Sequence, residues 1–160
     1  QTLARAFVQT GWRAVRFNFR GVGASEGVYD EGHGEATDML EVIRQVAPEG
    51  ALAVAGFSFG AFVTSHTVAA LAPRQPEKIV LVGTAASRFA VAPIAPELHE
   101  RILVLHGEQD DTVVLSSVMD WARPQSLPVT VIPGVEHFFH GQLPLLKSLV
   151  VRHLLAPVQA

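Results

Sequence analysis

The sequence predicts an α/β fold, a mostly parallel sheet of short strands flanked by helices. Three observations predict it. Short apolar runs of strand length alternate with longer segments of helical period, and the connections between them are short, as in a sheet wound on both faces. At residues 51–61, ALAVAGFSFGA, a strand-like run turns at once into an Ala-rich helical segment through Gly56-Phe57-Ser58-Phe59-Gly60.

The elements follow in order. Residues 2–10 form an amphipathic helix with Leu3, Phe7 and Val8 on or near one face. RAVRFNF, residues 13–19, is the first expected strand. A helix over 34–46 follows; Asp30, Glu31, His33, Glu35 and Asp38 have the residue types of a cation cluster, but acidic residues opening a helix are adequately explained by its N-terminal dipole and cap. Strands are expected near 51–57, 78–83, 101–106 and 129–132, and helices near 60–71, 115–122 and 141–155. That makes five strands and one domain over 1–160, with no repeat or linker.

Composition sets limits on function. The 160 residues are 49% apolar and 17% charged, ample for a buried sheet. A formal net charge of −3 and the lack of any basic run argue against a nucleic-acid partner. With no cysteine there is no disulfide, thiolate metal site or cysteine nucleophile, which suits a reducing cytoplasm. The longest apolar stretch is too short to span a bilayer, so no membrane insertion is expected. The chain opens on Gln1 directly in a helix, without a signal peptide, and reads as a fragment or processed form.

The chemistry centres on Ser58. A serine on a sharp strand-to-helix turn takes strained dihedrals, and the expectation is that Gly56 and Gly60 both relieve crowding there. The turn holds the hydroxyl at the carboxyl end of the strand and leaves the Phe59 N–H at a helix start, aimed where an oxyanion would form. Downstream, RILVLHGEQDDTVV carries Asp110 and Asp111 beyond a strand, and VTVIPGVEHFFHG carries His137 and His140 beyond another. The chain order is therefore Ser, Asp, His, each just past a strand end. Gly21-Val22-Gly23 also follows a strand, but Glu26 stands where a third glycine would admit a pyrophosphate.

These residues resemble the α/β-hydrolase superfamily, through Gly56-Phe57-Ser58-Phe59-Gly60, His106-Gly107-Glu108-Gln109-Asp110 and Gly134-Val135-Glu136-His137-Phe138-Phe139. RAVRFNFRGVGASEG is similar to the family's Asp-x-Arg-Gly-x-Gly-x-Ser segment, with Asn18 where the Asp often stands. The closest resemblance is to small lid-less bacterial serine hydrolases. It implies a Ser58–His137–Asp110 triad with Phe59 as oxyanion donor, acting on the ester or thioester bond of a small acyl substrate without cofactor or metal; the alternatives are a peptidase or acyltransferase variant of the same chemistry and a non-catalytic binding module of this fold. The family spacing from Gly107 favours Asp110 over Asp111, and that from Gly134 favours His137 over His140. His106 is expected to bond the loop backbone, and His66 to pack or face solvent. The resemblance also implies that the first strands are missing, among them one between 13–19 and 51–57 whose following loop supplies a second oxyanion donor. No lid is expected between 83 and 101. Oligomeric state is left open.

Overall fold

The computed structural model describes residues 1–158. Four strands, β1 (Ala53–Phe57), β2 (Lys78–Val82), β3 (Ile102–Gly107) and β4 (Thr130–Ile132), pair in parallel in the order β1-β2-β3-β4. The helices are α1 (Thr2–Gln9), α2 (His33–Val46), α3 (Phe59–Leu71), α4 (Leu115–Ala122) and α5 (Leu143–Leu155), within two residues of their expected bounds. β2, KIVLV, is buried at every position, as parallel strands covered on both faces must be. The strand period then divides its side chains. Ile79 and Leu81 join Val54 and Val104 in one core with Met39 and Ile43 of α2, Phe62 and Val63 of α3, and Val118 of α4. Val80 and Val82 join Leu105 in a second core with Phe7 of α1 and Leu146 and Val150 of α5. The result is a three-layer sandwich.

Register sets the site. Phe57 pairs with Val82, and Val82 with Leu105, so β1, β2 and β3 end level and their following loops emerge at one edge of the sheet. Ligands in parallel α/β sheets bind at that carboxyl edge.

One element departs from expectation. Residues 13–19 form no strand, and the sheet has four strands among the described residues. A strand exists only through its ladder, and here a groove of about 400 Å³, lined by Val15, Phe17, Phe19, Val54 and Gly56, separates this segment from β1. β1 is left as an edge strand whose outer backbone groups face the groove. Between β2 and β3 lie only irregular backbone and a 3₁₀ turn, Pro96–Arg101, so no lid is inserted there.

Two buried charged side chains explain local order. Glu35 is fully buried and accepts hydrogen bonds from the N–H groups of Asp30 (3.0 Å) and Gly32 (3.1 Å), capping α2. Lys78 donates to the carbonyls of His153 and Ala156, both at 2.7 Å, closing the C-terminus of α5 onto the sheet. Beside it, burial first and then the Lys78 charge push the His153 imidazole down to about 4 from 6.5. The unfolded chain therefore takes up this proton before the folded one does. Stability is unaffected by His153 above pH 6.5 and falls as pH drops from 6.5 towards 4. Melting temperature should decline over that window, and His153→Phe should flatten the decline; an unchanged slope would remove His153 as its source.

Candidate active site

Ser58 sits between β1 and α3 with φ 57° and ψ −117°, a strained conformation for a residue with a Cβ. Its N–H donates to the carbonyl of Val82 at 2.8 Å, tying the turn to β2. The glycine requirement is one-sided. A Cβ on Gly56 would collide with the backbone of Gly60 and Ala61, whereas one on Gly60 would make ordinary contact with the Phe19 ring at 3.7 Å. Only Gly56 is thus demanded by crowding, which corrects the expectation for Gly60. Phe59 is the first residue of α3, so its N–H has no partner inside the helix and carries the positive end of the helix dipole.

The loops after β3 and β4 complete the arrangement. Asp110 is buried, and its Oδ1 accepts from the N–H groups of Thr112 (3.0 Å) and Val113 (2.7 Å). Its Oδ2 lies 2.6 Å from His137 Nδ1, and His137 Nε2 lies 3.1 Å from Ser58 Oγ. The Asp110–His137 distance is that of a charge-assisted hydrogen bond between buried side chains. With Nδ1–H directed at the carboxylate, Nε2 is the acceptor that faces the serine hydroxyl. Close approach of the two loops is made by Gly107, where a Cβ would collide with the carbonyl of Val135. The His137 loop is stiffened by Glu136, whose carboxylate accepts from the N–H of Phe138 (2.9 Å) and of His140 (2.6 Å). Those bonds hold the Glu136 carboxyl below its usual range.

The competing residues stand apart. Asp111 and His140 are exposed, and His140 Nδ1 lies 3.3 Å from the Glu136 carboxylate. His66 is exposed on α3, with Nε2 2.7 Å from the carbonyl of Ala90. His106, fully buried, donates to the carbonyl of Val113 at 2.7 Å, the loop-backbone bond expected of it.

The model of the X-Pro dipeptidyl-peptidase (S15 family), an α/β-hydrolase family, matches residues 1–95, which include the Ser58 turn. The chain is an α/β hydrolase of that family. Solved structures agree. This hydrolase is 33% identical to an α/β serine hydrolase without lid from Xanthomonas campestris, with a TM-score of 0.84 over 99% of this chain and 74% of that one. It is 34% identical to an α/β serine hydrolase homologue from Coxiella burnetii, with a TM-score of 0.75 over 97% of this chain and 74% of that one. Protein RP471 of Rickettsia prowazekii is 28% identical over 84% of this hydrolase, which spans 61% of that curated relative's length.

Sequence reasoning missed the aromatic surround of the site. The Phe57 ring packs on the His137 imidazole at 4.8 Å, and Phe138 meets both, at 5.0 Å from His137 and 5.9 Å from Phe57. On the other side Tyr29 lies 5.6 Å from Phe59. The available signal was position, since Phe57 precedes Ser58 and Phe138 follows His137.

Proposed function

We propose that this hydrolase cleaves carboxylic ester or thioester bonds through an acyl-enzyme on Ser58, with His137 as general base and acid, Asp110 as its orienting partner and the Phe59 N–H as oxyanion donor. The observation that carries this reading is the hydrogen-bonded row Ser58 Oγ, His137 Nε2, His137 Nδ1, Asp110 Oδ2, at 3.1 and 2.6 Å. In the first half-reaction Ser58 Oγ attacks the carbonyl carbon while its proton passes to His137 Nε2, and the negative charge collects on the oxygen near Phe59 N–H. Collapse of that intermediate expels the alcohol or thiol, which takes the proton from His137. Water then attacks the acyl group, gives a proton to His137, and the carboxylic acid departs as Ser58 recovers its hydrogen. Phe57, Phe138 and Tyr29 are 37%, 56% and 53% exposed around Ser58, a rim that suits small apolar acyl or alcohol groups.

The family's name favours a second reading, cleavage after an X-Pro dipeptide by the same chemistry. The matched residues end before Asp110 and His137, so assays should run a short p-nitrophenyl ester, a thioester of the same acyl group and an X-Pro anilide side by side. Faster ester and thioester turnover, with fluorophosphonate labelling, is the expected outcome. Preference for the anilide would move the reading to peptidase, and absence of labelling would overturn both.

The groove beside β1 supports a further part of this reading, that an additional strand seats there and its following loop supplies a second oxyanion N–H. Adding the upstream sequence should sharpen thermal unfolding and raise ester turnover by about 10²-fold or more, the cost of one missing oxyanion donor. Equal rates and equal melting for residues 1–160 and the extended chain would overturn it.

A further inference from the structure

Asp110 has a neighbour that the row Ser58–His137–Asp110 does not use. His106 lies at 0% exposure on β3 beneath the acid loop, and its Nε2 is 2.7 Å from the Val113 carbonyl and 3.4 Å from Asp110 Oδ2, the oxygen that faces His137. A carbonyl only accepts, so Nε2 carries hydrogen, and its positive edge lies against that carboxylate oxygen. The other nitrogen, Nδ1, is buried with no partner. A proton there would place an unpaired donor and a charge inside the core, which fixes the ring as the neutral Nε2–H form. Burial lowers the affinity of His106 for a proton in the same sense, against the pull of Asp110. The titratable groups facing His106 are Asp110 on its own loop and His137 from the loop after β4.

The arrangement closes a small ring. Val113 donates its N–H to Asp110 Oδ1 and accepts the His106 Nε2–H on its carbonyl, so His106 pins the residue that pins Asp110. A cationic His106 would compete with His137 for Oδ2; a neutral one restrains the carboxylate and leaves its charge for the His137 imidazolium.

We infer that His106 is a positioning residue for the proposed hydrolysis: an imidazole that holds the 110–113 loop through Val113 and aims Asp110 Oδ2 at His137 Nδ1. This rests on the triad reading above. If Asp110 is less firmly held, it stabilises the His137 imidazolium less, so the acid limb of the kcat/KM profile, which reports that imidazolium in the free enzyme, moves to lower pH.

The test compares His106→Leu, which keeps bulk and loses the donor, with His106→Gln, whose amide can replace the Nε2–H. For His106→Leu, kcat should fall by up to about tenfold, the worth of the one neutral hydrogen bond that holds the Val113 carbonyl, with KM little changed. Its acid limb should move down, and the low-field proton resonance of His137 Nδ1–H should weaken or shift upfield. His106→Gln should restore all three. A folded His106→Leu protein with an unmoved limb and resonance would overturn the inference, as would failure of His106→Gln to restore what leucine removes. Imidazole nitrogen NMR of the unaltered protein supplies a check that needs no variant: His106 should be Nε2-protonated and should take up a second proton only below the range of an exposed histidine, and a ring already charged within that range, or an Nδ1-protonated one, would also overturn it. The His137 and His106 resonances are both read without turnover, so whether His106 holds Asp110 against His137 is decided separately from whether the row hydrolyses a substrate.

Discussion

Ser58→Ala should abolish fluorophosphonate labelling and lower ester turnover by about 10⁶-fold, the scale on which removing an activated serine acts. The size follows from what the alanine removes. Ser58 Oγ is the atom that lies 3.1 Å from His137 Nε2, and without it the imidazole and Asp110 have no nucleophile to activate. On the proposed mechanism, any remaining rate would come from the oxyanion donor and from binding. Alanine keeps the Cβ and the same strained φ of 57°, so the fold and its melting temperature should hold, which makes lost labelling a chemical result. Mass spectrometry of the labelled peptide gives the site directly. Labelling of another serine, or equal labelling of the alanine protein, would remove Ser58 from the mechanism.

Much of this arrangement was legible in the sequence because its determinants are local. The turn at Ser58 needs a strand, a glycine at 56 and a helix start within a few residues, and each leaves a mark in ALAVAGFSFGA. Strand burial is equally local, since KIVLV reads as a strand covered on both faces. Preferring Asp110 to Asp111 rests on spacing from Gly107, and preferring His137 to His140 on spacing from Gly134. The structure puts Asp110 Oδ2 2.6 Å from His137 Nδ1 and leaves the other two exposed, and Gly107 is where the loop of Asp110 passes against the backbone of the His137 loop. What the sequence hid depends on partners distant along the chain. RAVRFNF has a strand's pattern, yet its backbone faces a groove in place of a neighbouring strand. Gly60 looked symmetrical with Gly56 until the direction of its missing Cβ was known. The contact of His106 with Asp110 Oδ2 arises only after the loop folds back over β3.

The same geometry sets the second large effect. Asp110→Asn should lower kcat by about 10⁴-fold, the scale on which a wrong imidazole tautomer acts, and the orientation of the new amide explains why. Asp110 Oδ1 accepts from the N–H groups of Thr112 and Val113 at 3.0 and 2.7 Å. An asparagine must therefore keep its carbonyl oxygen in that place, which turns its NH₂ towards His137. Facing a donor, His137 Nδ1 must become the acceptor, so the ring proton moves to Nε2, where it blocks removal of the Ser58 proton. His137→Ala should cost still more, about 10⁶-fold, because base and acid are both lost. Asp111→Asn and His140→Ala alter exposed side chains outside the row and should change kcat/KM by no more than a few-fold. All four substitutions should be assayed on the same ester, with circular dichroism confirming that each protein is folded. Large losses for Asp111→Asn or His140→Ala beside small ones for Asp110→Asn or His137→Ala would reassign the acid and the base to the exposed pair.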